Sequence, residues 1–131
     1  MSAPARTGYV PGRHAIDAYG AGAFRFAGMS HVGSILATPQ GIGAVGISDP
    51  SEISVGALEP LFAELADHPK SVELLIVGTG AAMAPLGAAF KAHLRDRGLR
   101  FEAMATGPAT RVYNIMMGER RRVAALLLAA P

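Results

Sequence analysis

A chain of 131 residues forms one domain, long enough for a single hydrophobic core and too short for two. Half of it is apolar and 17% is charged, which excludes a disordered chain, and a formal charge of +2 is too small for a general nucleic-acid binder. There is no cysteine, so disulfides, thiolate metal sites and cysteine nucleophiles are excluded as well.

Residues 1–13 carry Pro4, Gly8, Pro11, Gly12 and two arginines without an apolar run, and read as a flexible arm ahead of a single α/β domain over 14–131. Between His14 and Gly46 glycine punctuates short apolar pieces at 15–19, 23–26, 29–37 and 42–47, which predicts β-hairpins in the N-terminal third. Thr38, Pro39, Gln40 and Gly41 form the clearest turn, because proline pre-sets φ and glycine closes the reversal. Phe24 and Phe26 flank Arg25, so that strand covers one face and wets the other.

The middle of the chain alternates helix and strand. Leu58, Leu61, Phe62 and Leu65 make the stripe of an amphipathic helix that ends near His68 and Pro69, with Ser54 as its N-cap and with Glu59, Glu64 and Asp67 on the wet face. Residues 72–77 are almost wholly apolar, as in a strand buried on both faces. A second helix over 85–97 buries Leu86, Phe90 and Leu94, wets Asp96, and stops at Gly98; the next strand covers 100–104. Strand, helix and strand make a βαβ unit, so Gly78, Thr79 and Gly80 emerge at the same sheet edge as Thr106, Gly107 and Pro108.

Thr106, Gly107 and Pro108 suit a helix start, with the Thr106 hydroxyl accepting from orphan amides. The third helix then runs to about Met117, with Gly118 as its stop. Val112, Ile115 and Met116 share its core side, and Arg111 and Asn114 share another. Tyr113 is placed to bond at the sheet edge, and Arg120, Arg121 and Arg122 make a basic turn before a last strand that starts at Val123. That strand's apolar run is eight residues long against the roughly 20 needed to cross a bilayer, so no membrane span is expected and the chain reads as soluble and cytoplasmic.

The two glycine loops, two hydroxyls and one helix N-terminus form a candidate anion site. The signal is short of a nucleotide fingerprint, since neither G-x-G-x-x-G nor G-x-x-x-x-G-K-[ST] is complete. His14, His31, His68 and His93 are scattered without metal-ligand spacing, and Glu73 and Glu102 read as edge or ion-paired acids on strands. No metal, cofactor or catalytic residue is assigned.

The stretches LLIVGTG, PLGAAFKAHLRDRGLRFEAMATGPATRVYNIMMGE and RRRVAALLL, with DAYGAGAFRFAG and SILATPQG upstream, resemble the small α/β family that includes mitochondrial NADH dehydrogenase (complex I) assembly factor 3 and its bacterial and archaeal relatives of unknown function. The resemblance implies a three-layer α/β fold around a mixed sheet of about five strands, with the last strand, 123–128, lying antiparallel inside it. It also implies a non-catalytic role in the assembly or membrane attachment of respiratory complex I. The family motif falls on Gly78, Thr79, Gly80, Thr106, Gly107, Tyr113 and Asn114. The expected function is therefore a non-catalytic protein-interaction or assembly factor, with a protein partner or a second copy of the chain covering spare apolar surface. The alternative is a small anionic-ligand binder or enzyme with its pocket between residues 78–80 and Thr106 and Gly107.

Overall fold

The computed structural model describes residues 9–131. Two sheets are present. The main one has six strands: β1 (Val10–Pro11), β5 (Ser34–Thr38), β6 (Gly41–Val45), β7 (Leu74–Gly78), β8 (Arg100–Met104) and β9 (Val123–Leu127), in the spatial order β1-β6-β5-β9-β7-β8. A smaller antiparallel sheet contains β2 (Ala18–Gly20), β3 (Ala23–Phe26) and β4 (Met29–Val32). The helices are α1 (Glu59–Asp67), α2 (Ala88–Asp96) and α3 (Thr106–Gly118).

The expected three-layer α/β fold with a mixed sheet and N-terminal hairpins is present. The β7–α2–β8 and β8–α3–β9 crossovers step in opposite directions along the sheet, and crossovers of one hand then place their helices on opposite faces. Phe90 and Leu94 of α2, with Leu61 of α1 and Leu58 just before it, pack on one face, against Leu36, Leu75, Val77 and Leu126. Tyr113 of α3 and Phe24 and Phe26 of the small sheet pack on the other, against Ile35, Ile76, Ala125 and Leu127. β5, β7 and β9 are buried at every position, as strands covered on both faces must be.

The sheet has a sixth strand beyond the five expected, because Val10 and Pro11 pair with Ile42 and Gly41. Of the segment expected to be an arm, residues 1–8 lie outside the described residues, while Tyr9, Gly12 and Arg13 hydrogen-bond to Gln40 and Arg121. Pro11 has no N–H to donate and suits the edge position. The last strand is antiparallel to β5 only; toward β7 it is parallel. The apolar piece at 29–37 is two strands rather than one, since Gly33 at φ +101° turns the chain from the small sheet into the main one.

Three helix expectations are corrected by what packs beside each residue. Glu64 is buried instead of wet, 7% exposed, because the face of α1 that carries it lies over Thr38, whose hydroxyl donates to Glu64 Oε1 at 2.6 Å. The buried face of α3 is Thr106, Ala109, Thr110 and Tyr113, at i, i+3, i+4 and i+7, so Ile115 points out and is exposed. The stop of α3 is not Gly118. Arg120 holds the left-handed conformation at φ +60°, its N–H donates to Met117 O at 3.0 Å, and Arg121 N–H donates to Met116 O at 2.9 Å, the paired bonds of a Schellman motif.

A β-carbon at left-handed φ is unfavourable by about 1–2 kcal/mol. Arg120→Gly is therefore expected to stabilise the fold by about 1 kcal/mol, offset partly by the freedom glycine adds to the unfolded chain. Urea denaturation of the two proteins checks this, and a lower midpoint for the glycine variant is the contrary result.

Candidate functional site

The C-terminal ends of β7, β8 and β9 converge at the corner picked out in the sequence. Gly78, Thr79, Gly80, Thr106 and Gly107 do come together there, and the two threonines are almost wholly buried. Thr106 N–H donates to Gly80 O at 2.9 Å, the Thr106 hydroxyl accepts from Gly80 N–H at 2.9 Å, and it donates to Leu128 O at 2.7 Å. One side chain thus binds the segments that follow β7 and β9 to the start of α3. It does not cap that helix: the N-cap position is Ala105, which makes no side-chain cap bond. The Thr79 hydroxyl lies 2.8 Å from Ala82 O and 3.2 Å from Met104 O and accepts from Ala84 N–H at 2.9 Å.

The glycines of the corner are there for close approach. A β-carbon on Gly78 would lie 3.0 Å from Thr106 Oγ1 and from Leu127, and one on Gly107 would lie 2.5 Å from the Tyr19 hydroxyl. Gly80 holds φ +102°, a conformation few other residues adopt. Tyr19 therefore covers the first turn of α3, and Arg111 Nη1 donates to its hydroxyl at 3.3 Å. The hydroxyls from which an anion cradle would be built are already engaged inside the fold.

Tyr113 and Asn114 lie on the next turn and hold a different part of the chain. Asn114 Oδ1 accepts from Ile16 N–H and its Nδ2 donates to Ile16 O, both at 2.8 Å, so the side-chain amide pairs with Ile16 as a neighbouring strand would. The Tyr113 hydroxyl donates to His14 O at 3.4 Å. Burial pushes its phenol up to about 12, with the Arg13 guanidinium acting in the opposite direction.

A phenol whose folded pKa stands above its unfolded value near 10 supports the fold fully below that value and loses the contribution as pH rises toward 12. Stability is expected to fall above about pH 10 with a slope of up to about 1.4 kcal/mol per pH unit from this group. Tyr113→Phe should flatten the slope while costing about 1 kcal/mol or less at neutral pH, since its hydrogen bond is long. Urea denaturation between about pH 8 and about pH 11 reads both effects; an unchanged alkaline slope in the variant would show that another group sets it.

The basic turn is partly neutralised. Glu73 receives Arg121 Nε on Oε1 and Arg122 Nη2 on Oε2, each at 3.0 Å, and these partners hold its carboxyl below the ordinary carboxylate range. Arg122 also donates to Lys70 O. Glu73 is thus the ion-paired acid expected from the sequence. His14 bonds the Pro11 carbonyl at 2.8 Å, His31 lies against Phe26, and His93 lies against Phe62. Among the described residues no group of His, Asp or Glu is arranged to hold a metal ion, and no helix is long and apolar enough to cross a membrane.

The residue that sequence reasoning missed is Glu64. Its signal was its place three residues after Leu61 and next to Leu65, on the buried stripe as much as beside it. Its Oε2 is buried and has no hydrogen-bond partner among the described residues.

Residues 16–128 match a family described as protein of unknown function, DUF498/DUF598. An uncharacterised protein of Rhodobacter capsulatus is 35% identical over 130 residues, which cover 98% of this chain and 94% of that protein. NADH dehydrogenase (ubiquinone) 1 alpha subcomplex assembly factor 3 of Danio rerio is 31% identical over 116 residues, covering 88% of this chain and 64% of that protein. The solution structure of Rpa2829 from Rhodopseudomonas palustris superposes with a TM-score of 0.78 at 42% identity, covering all of this chain and 94% of that one.

Proposed function

We propose that this chain, which belongs to the DUF498/DUF598 family, is a non-catalytic protein-interaction factor serving the assembly of respiratory complex I. The observation that carries the reading is the 31% identity with the Danio rerio assembly factor. The state of the corner agrees with it. Thr79, Thr106, Tyr113 and Asn114, the motif positions with polar side chains, all bond the chain to itself, so the motif preserves a shape.

A preserved shape serves recognition when part of its surface is left open. β4 is an edge strand of the small sheet and exposes Met29 and Val32, the latter 82% accessible. An open edge with apolar side chains is a surface on which a partner strand or helix docks.

The test is made in the native host. Deleting the gene is expected to lower the amount of assembled complex I on native gels, and the tagged chain is expected to co-purify with complex I subunits. Replacing Val32 by Lys, at a position that contributes little to the core, should abolish that capture and leave the melting temperature within about 2 °C. Unchanged complex I in the deletion strain, together with no subunit enriched by the tagged chain, would overturn the reading.

A further inference from the structure

Between α1 and the β5–β6 hairpin lies a cavity of about 1070 Å³. It is an ample volume for a small molecule. Among the described residues three charged side chains line it, Glu59, Glu64 and Asp67, and no lysine, arginine or histidine does. In a chain with 12 basic and 10 acidic residues, walls of a single sign mark a local segregation of charge. Apolar groups supply much of the rest of the lining, among them Leu36, Val45 and Pro60.

Glu64 gives this groove its chemistry. Its residue is 7% exposed, one oxygen accepts from the Thr38 hydroxyl at 2.6 Å, and the other, Oε2, is buried without a partner. A buried carboxylate oxygen in that state costs free energy that a hydrogen-bond donor recovers, and a positively charged donor recovers most. Glu64 is one of the residues that line the groove, the side from which such a donor would come. A metal ion is a poor candidate for the donor, since no cluster of His, Asp or Glu among the described residues is arranged to hold one.

We propose that this groove binds a small organic amine, with its ammonium group on Glu64 and its aliphatic body along the Leu36, Val45 and Pro60 wall. Thr38 orients the carboxylate by fixing Oε1, and Glu59 and Asp67 at the rim draw the cation in. This site lies on α1 and the β5–β6 hairpin, and the corner at Thr106 contributes nothing to it.

The probe is hexylamine, with hexan-1-ol as its uncharged counterpart, each titrated into the full chain by calorimetry and by amide chemical shifts. Hexylamine is expected to bind at least about tenfold more tightly than hexan-1-ol, with shifts centred on Thr38 and α1. Glu64→Gln should remove that preference, and it should raise the melting temperature of the free protein, since a neutral amide replaces a buried carboxylate that has one oxygen without a partner. A purely structural Glu64 would give the opposite temperature shift. If Glu64→Gln fails to fold, Asp67→Asn at the rim keeps the test open and is expected to weaken hexylamine about threefold at low salt. Equal affinity for the amine and the alcohol, or no binding of either, would mean that the buried oxygen holds only water, and would overturn the proposal. So would a blocked lysine tripeptide that binds while hexylamine does not, because the site would then take a partner's side chain.

Discussion

Thr106→Val is expected to destabilise the fold by about 3 kcal/mol. The substitution keeps the shape of a side chain that is 0% exposed and removes only its oxygen, which bonds both Gly80 N–H and Leu128 O. Neither group has water to turn to, and each buried backbone group left without a partner costs about 1–3 kcal/mol. In a domain of this size the loss corresponds to a fall of about 10 °C in melting temperature. Thr106→Ser keeps the oxygen and should stay within about 1 kcal/mol of the parent. Urea denaturation of the pair separates the hydrogen bonds from the packing: equal stability of the valine variant and the parent would mean that the Thr106 hydroxyl does not hold the corner together. Ligand binding enters nowhere in this prediction, because the hydroxyl is already shared between two backbone groups.

The second large effect is expected from Asn114→Ala, a loss of about 2–3 kcal/mol. Two hydrogen bonds at 2.8 Å to the backbone of Ile16 disappear together, and Ile16, 3% exposed, loses the support that seats it in the core beside Phe24 and Tyr113. The damage should stay local. Amide exchange at Ile16 and its neighbours is expected to accelerate by more than about tenfold while that in β7 and β9 follows the global stability alone. Asn114→Asp should do no better, since a carboxylate accepts from Ile16 N–H but faces Ile16 O without a proton to offer. If exchange at Ile16 in the alanine variant merely tracks that of β9, the amide clamp is not what holds this segment.

The parts of the fold that the sequence carries openly are those whose pattern is internal to one element. Residues 74–78 and 123–127 are continuous apolar runs, and both are strands buried on two faces. Phe90 and Leu94 are spaced as a helix face and are buried as one. Gly98, at φ +71°, ends α2 as a glycine after a helix should.

What escaped the sequence depends on neighbours far along the chain. β1 has two residues, too few to show any periodicity, and is a strand only because Gly41 and Ile42 lie beside it. Thr106 looks like a cap until Leu128, 22 residues later, takes its proton. At the candidate site the meeting of Gly78 to Gly80 with Thr106 is legible in the sequence, because a βαβ unit returns both loops to one edge. That Tyr19 would cover the first turn of α3, and that Glu64 would be buried under Thr38, are decided by the packing of the small sheet and of the β5–β6 hairpin.

β9 lies between β5 and β7, and this position has a kinetic consequence. Among the described residues the hairpin half of the main sheet, made by residue 45, and the α/β half, begun at residue 74, have no strand pairing with each other except through residues 123–127. Both halves must therefore wait during synthesis, each with a long apolar strand edge unpaired, and the pairing of Ile35 with Leu127 closes the largest loop in the sheet. Folding is expected to be slow for a chain of this size and to end in one concerted step. A nascent chain halted before Val123 should be protease-sensitive in both halves, and should be held by chaperones until the centre strand arrives.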